Sequence, residues 1–164
     1  MFYYLGFKSL DVSNFNSSNV INMISIFEGC ISVTSLDVSI FDISKAQLWP
    51  HTYRLLYLVS LDLSNFDTSN AMVISVMFLN CESITSIDIS SFNTGKLKRI
   101  SSLFNSCKQL LYIDISSFRN TIGYNNKIFE NLNKSEEIIV NKNISTIISN
   151  IFEDLNMSWT ITEI

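Results

Sequence analysis

Leu61-Asp62-Leu63-Ser64-Asn65-Phe66 returns along this chain at an almost constant interval, and that spacing decides the fold. Close copies stand at Leu10-Asp11-Val12-Ser13-Asn14-Phe15, Leu36-Asp37-Val38-Ser39-Ile40-Phe41, Ile87-Asp88-Ile89-Ser90-Ser91-Phe92 and Ile113-Asp114-Ile115-Ser116-Ser117-Phe118. The aspartates fall at 11, 37, 62, 88 and 114, in steps of 26, 25, 26 and 26 residues. A fixed period of this size marks a solenoid, in which each unit buries its apolar face only by stacking on its neighbours.

Strand side chains alternate, so Leu61 and Leu63 face one way while Ser60, Asp62 and Ser64 face the other. Leu58 extends the inward set to Leu-x-x-Leu-x-Leu, the strand pattern of a leucine-rich repeat. Phe66 stands where the common form of that pattern has Asn, and Phe15, Phe41, Phe66, Phe92 and Phe118 are expected to stack under the turn. Behind each hexapeptide the period changes from two to 3.6. Val20, Met23, Ile26, Phe27 and Cys30 recur as Ala71, Ile74, Met77, Phe78 and Cys81, then as Leu97, Ile100, Leu103, Phe104 and Cys107. This spacing predicts a short helix or helical turn with one apolar stripe, and Thr68, Ser69 and Asn70 precede it as N-cap residues would. The expected architecture is an α/β leucine-rich-repeat solenoid, with a curved parallel sheet on its concave face and short helices or helical turns on its convex side.

Repeat two departs from its neighbours. Between Ala46 and Leu58 it carries Trp49, Pro50 and His51, lacks the Met-Phe and Cys elements, and is one residue shorter. Pro50 disfavours a helix interior, so this stretch is either a drifted unit or a local contact site. After Phe118 the pattern loosens. Ile139 and Ile144 stand 26 residues after Ile113 and Phe118, predicting a sixth strand near residues 137–141. A helical turn with Ile147, Ile148, Ile151, Phe152 and Leu155 and a last strand at residues 159–161 are expected to follow. We read residues 1–164 as one solenoid, regular over 1–118 and degenerate over 119–164. Met1-Phe2 aligns with Met77-Phe78, so the text begins in mid-repeat. This suggests a segment of a longer array, or an uncapped N-terminal unit prone to end-to-end self-association.

The unit at residues 61–70, Leu-Asp-Leu-Ser-Asn-Phe-Asp-Thr-Ser-Asn, followed by Met77-Phe78 and Cys81, resembles the BspA-type leucine-rich repeat of bacterial and protist surface proteins. The resemblance covers residues 1–118 and only loosely the tail. It implies a solenoid used for adhesion or host-protein contact on an extracellular or cell-surface protein, although this text shows no signal peptide.

Composition agrees with a folded repeat protein: 47% of residues are hydrophobic, 16% are charged, and Pro occurs once. The net charge of −4 argues against nucleic acid, which needs clustered cations, and makes a basic partner electrostatically easier. No apolar run approaches the roughly 18–20 residues of a membrane span. Three widely spaced cysteines fit neither a disulfide framework nor a metal motif, and their shared slot predicts core packing. A bond between Cys81 and Cys107 in adjacent repeats is the alternative.

Asp11, Asp37, Asp62, Asp88 and Asp114 are the only regular chemical surface on offer. On strands about 4.8 Å apart they form a ladder of like charges, and something must offset their repulsion. A basic partner or a cation lying along the ladder would do so. Water and the flanking serine hydroxyls would do so equally. A calcium shell needs more ligands than one carboxylate per strand supplies. No catalytic residues, metal site or cofactor are expected: His51 is the sole histidine, and the repeat multiplies aspartate without differentiating an acid from a base. Asn16-Ser17-Ser18, Asn133-Lys134-Ser135, Asn143-Ile144-Ser145 and Asn156-Met157-Ser158 match the glycosylation sequon, as expected by chance in so Asn- and Ser-rich a chain. The reading is a non-enzymatic protein-binding or adhesion module, with a purely structural spacer as the alternative.

Overall fold

A computed structural model describes residues 7–50, 57–119, 126–132, 137–140, 148–149 and 160–164. Four strands, β1 (Ser86–Asp88), β2 (Tyr112–Ile115), β3 (Glu137–Val140) and β4 (Thr160–Glu163), form one parallel sheet in the order β1-β2-β3-β4. The repeat period is therefore a pairing register: Asp88 lies opposite Asp114 and Ile87 opposite Ile113, and Ser9 bridges Ser35 in the same sense at the other end.

The inward rows are apolar because each position recurs in phase. Val12, Val38, Leu63, Ile89 and Ile115 are all buried, as are Phe41, Phe66, Phe92 and Phe118. Phe15 heads the latter row and remains 41% exposed, its ring stacked on Phe41 at 6.5 Å. A second aromatic row runs parallel to the first. Phe27, Phe78, Phe104 and Phe129 are fully buried, with Phe78–Phe104 and Phe104–Phe129 stacked at 5.8 and 5.9 Å. Stacking at that separation is favourable beyond the area buried.

The expected helical segments take another form in repeats one, three and four. Their N–H groups bond across to the next repeat, Val76 to Ser101 O at 2.8 Å, Phe78 to Leu103 O at 3.0 Å and Asn80 to Asn105 O at 2.9 Å, so no i−4 ladder is made. Backbone in the left-handed region at Ser25, Val76 and Ser102, and again at Gly29, Asn80, Ser106 and Asn131, also interrupts any right-handed helix. The chain runs instead through successive turns, such as Cys81 N–H to Phe78 O and Cys107 N–H to Phe104 O, both 3.1 Å. Such turns return residues three or four apart to the same side, which is why the apolar spacing imitated a helix. A helical turn does form as a 3-10 helix at Asn126–Phe129 in repeat five.

The sixth strand is present as β3, one residue out of the expected register. Ile113 pairs with Ile138 and Ile115 with Val140, so Asp114 lies opposite Ile139. The step from Ile113 to its partner is thus 25 residues, against 26 from Ile87 to Ile113. The last strand is β4, paired with β3. Ile148 is buried. The remaining residues of the expected C-terminal helical turn, together with His51, Met1-Phe2 and the sequons at Asn133, Asn143 and Asn156, lie outside the described residues.

In repeat two, Leu48 bridges both Asn22 and Val73, which places Trp49 in the row of Met23, Ile74 and Ile100. Trp49 is fully buried, edge-on to Phe66 at 5.8 Å and to Phe92 at 6.3 Å. Of this departure from the repeat, Ala46, Trp49 and Leu58 pack in the core.

Candidate functional site

The structure assigns each residue of the hexapeptide a local task. Leu61 and Leu63 point toward the core. Asp62 Oδ1 accepts the N–H of Ser64 at 2.9 Å, closing an Asx turn, and Phe66 N–H then donates to Leu63 O at 3.0 Å, closing a β-turn that swings the ring inward. The same Asp-to-Ser bond recurs at 2.9 Å in all five copies, Asp11–Ser13, Asp37–Ser39, Asp62–Ser64, Asp88–Ser90 and Asp114–Ser116.

Five residues on, the device is used again. Asn16, Asp42, Asp67 and Asn93 accept from the N–H of Ser18, Ser44, Ser69 and Gly95 at 3.0–3.2 Å or, for Asp67, 2.9 Å. Ala71 N–H then donates to Thr68 O at 2.9 Å. Thr68 is thus no helix cap. Its buried hydroxyl accepts the N–H of Asn93 in the next repeat at 2.7 Å. The signal for this second corner was present in the sequence as Asp67-x-Ser69 following Asp62-x-Ser64 at a spacing of five, but the apolar period behind it drew the reading toward a helix.

The same bonds set the electrostatics. Donation from Ser13 and Ser39, through side chain and then backbone, holds Asp11 and Asp37 below the usual carboxylate range. For Asp62 the Ser64 N–H is the larger cause, followed by its hydroxyl, and the opposing influence of Asp37 is the smallest contribution. For Asp11, Asp37 and Asp62 the offset to ladder repulsion thus lies within the turn itself. Among the described residues none of the five aspartates joins an ion pair, and no group of acidic, histidine or cysteine side chains is arranged to hold a metal.

Consecutive aspartates border shallow grooves. One is lined by Leu61, Asp62, Leu63, Ser64, Asp88 and Ser90, another by Leu10, Asp11, Val12, Ser13, Asp37 and Ile40, each with about 100 Å³ of space. That volume holds roughly three waters and falls short of the ~300 Å³ typical of small-molecule sites. What varies beside them is the neighbouring side chains. Ile40 is 47% exposed where other repeats carry Asn14, Asn65, Ser91 and Ser117, and Val59 and Leu111 are 52% and 45% exposed in a row shared with Lys8, Thr34 and Thr85.

Cys30, Cys81 and Cys107 are buried and form no disulfide. Cys107 donates its S–H to Phe78 O at 3.1 Å, and burial pushes its pKa well above the ordinary thiol value.

A family model described as "Mycoplasma protein of unknown function, DUF285" matches twice, over residues 1–54 and 53–141. The chain belongs to this family. The two matches cover most of the chain, including all five aspartate turns, which are thereby placed inside the DUF285 unit. No curated protein and no solved structure matches the chain.

Proposed function

We propose that this DUF285 protein is a non-enzymatic leucine-rich-repeat solenoid of the BspA type, exposed at a cell surface or secreted, that binds another protein through its sheet face. The parallel pairing of successive repeats and the in-phase buried rows support the solenoid reading.

The binding reading rests on one observation. The Asp and Ser rows are invariant for a reason internal to the fold, because they close turns, whereas the exposed positions beside them change from repeat to repeat and include Ile40, Val59 and Leu111. Exposed aliphatic side chains on a scaffold that has no folding need for them are what a recognition surface requires. Carboxylates alongside favour a partner segment carrying Lys or Arg.

The second reading, a spacer, draws support from the same turns: each carboxylate already accepts a bond within its own turn. Binding of the labelled full chain to immobilised extracellular-matrix proteins and to intact cells separates the two. The adhesion reading expects saturable binding that Ile40→Asp with Leu111→Asp abolishes and Asp62→Asn weakens by a smaller factor. Binding that is absent, or indifferent to the double substitution, leaves the spacer.

A further inference from the structure

A second surface, sharing no residue with the sheet face, lies ten residues beyond Asp11, Asp37, Asp62 and Asp88. Gln47 N–H bonds to Ile21 O, Met72 N–H to Gln47 O and Lys98 N–H to Met72 O, each at 2.9 Å, while Asn22, Leu48, Val73 and Arg99 are joined by parallel bridges. Two adjacent rows are thereby fixed side by side. The rows flanking them are directed inward: Ala46, Ala71 and Leu97 on one side, Met23, Trp49, Ile74 and Ile100 on the other, all buried. Both central rows consequently face outward.

Their chemistry is graded along the stack. At repeat four stand Lys96, Lys98 and Arg99, all exposed, the densest run of cations in a chain of net charge −4. Leu48, Met72 and Val73 are half-buried in the middle, and Ile21 is 56% exposed at the repeat-one end. Lys96 and Lys98 border an open groove with Met72, Leu97 and Gly95. Gly95 stands where the other repeats have Ser18, Ser44 and Ser69, so no side chain rises over the groove there. Asn70 Oδ1 accepts from Lys96 Nζ at 2.6 Å and fixes that ammonium at the rim, while Lys98 and Arg99 form no ion pair among the described residues.

We propose that this face docks an extended, acidic and partly aliphatic segment of a partner protein, its carboxylates at Lys96, Lys98 and Arg99 and its aliphatic side chains on Met72, Leu48 and Ile21. Charge complementarity selects an anionic partner. The apolar middle and far end select a polypeptide over a phosphate polymer, which would bring nothing to cover them. Three repeat-to-repeat steps of about 4.8 Å span about 14 Å, the reach of four to five extended residues. The proposal is independent of the adhesion reading, because the two faces have no residue in common.

The test is fluorescence anisotropy on the full chain with a synthetic nonapeptide carrying Asp-Glu-Asp at one end and Leu alternating with Ser toward the other. Saturable binding is expected, weakening as salt rises. The exposed pair Lys98→Gln with Arg99→Gln is expected to lose affinity by about fivefold or more, and Ile21→Ser to lose it by a smaller factor. Lys108→Gln, outside the groove and held in its ion pair with Glu82, should bind as the parent does. Circular dichroism confirms that each exposed variant folds. No saturation at millimolar peptide overturns the proposal, as does equal affinity in the Lys98/Arg99 variant. Binding to anionic lipid vesicles in place of the peptide, or sedimentation showing a second copy of the chain seated on this face, overturns it as well.

Discussion

Replacing Trp49 with Ala tests whether repeat two is a packed unit or a contact patch. An indole of this size removes on the order of 200 Å² from water, which at about 25 cal/mol per Å² gives roughly 5 kcal/mol as an upper figure. Compaction of the unfolded chain lowers that value, while a residual cavity and the lost edge contacts to Phe66 and Phe92 raise it. The expected destabilisation is about 4 kcal/mol, a large share of the stability of a domain this size. Trp49→Met copies the row-mate Met23 and should cost only about 1–2 kcal/mol, since an adaptable thioether refills much of the volume. Urea unfolding followed by circular dichroism supplies the free energies. A Trp159→Phe background leaves Trp49 as the single indole, and its native emission should be that of a buried ring. A loss below about 1 kcal/mol, or emission typical of an indole in water, would refute the packing argument and return Trp49 to the surface.

Other outcomes follow from the turns, the strained backbone and the thiols. Asp62→Ala removes the acceptor for Ser64 N–H and should lower the melting temperature, whereas Asp62→Asn keeps an Oδ1 and should melt near the parent; equal behaviour of the two would show that the turn bond is idle. Asp11, Asp37, Asp42, Asp62 and Asp67 all titrate below the ordinary value of 3.8, so their contribution is present above that pH and is lost as pH falls through the folded values. The melting temperature should hold steady from pH 7 to about 5 and fall below about 4. A rise on acidification would mean that ladder repulsion outweighs the turn bonds. Val76 has φ 55°, a costly conformation for a β-branched residue, so Val76→Asn should stabilise by about 0.5–1 kcal/mol in thermal unfolding. Native protein should resist thiol reagents at pH 8, and all three cysteines should react once urea is added; a native-state reaction of Cys107 would contradict its burial.

The parallel register and the inward aromatic rows were legible in the sequence because in-phase repetition leaves little freedom: once Asp88 pairs with Asp114, the positions of Ile87, Ile89 and Phe92 follow. The segment behind each hexapeptide differs from the expected helix for a physical reason. Spacings of three and four are shared by helices and by chains of i→i+3 turns, and only the destination of the N–H groups distinguishes them. In Val76, Phe78 and Asn80 they go to the next repeat. The shift of β3 by one residue escaped alignment because both frames offer an isoleucine opposite Ile113. Trp49 escaped because a bulky departure from consensus looks the same whether it faces the core or the solvent.

The hexapeptide by itself determined that this chain repeats, that its repeats pair in parallel and that one carboxylate per repeat stands on the sheet face. Tertiary structure decided what that carboxylate does. Asp62 reaches the N–H of Ser64 two residues on only because Leu63 and Phe66 are drawn into a core built by neighbouring repeats, which forces the chain to turn at Ser64 and presents that N–H to the carboxylate. The sequence offered a ladder of like charges whose repulsion either a partner or the flanking serines and water could offset. The fold supplies each one from within its own turn, and leaves the irregular side chains beside them to meet the outside.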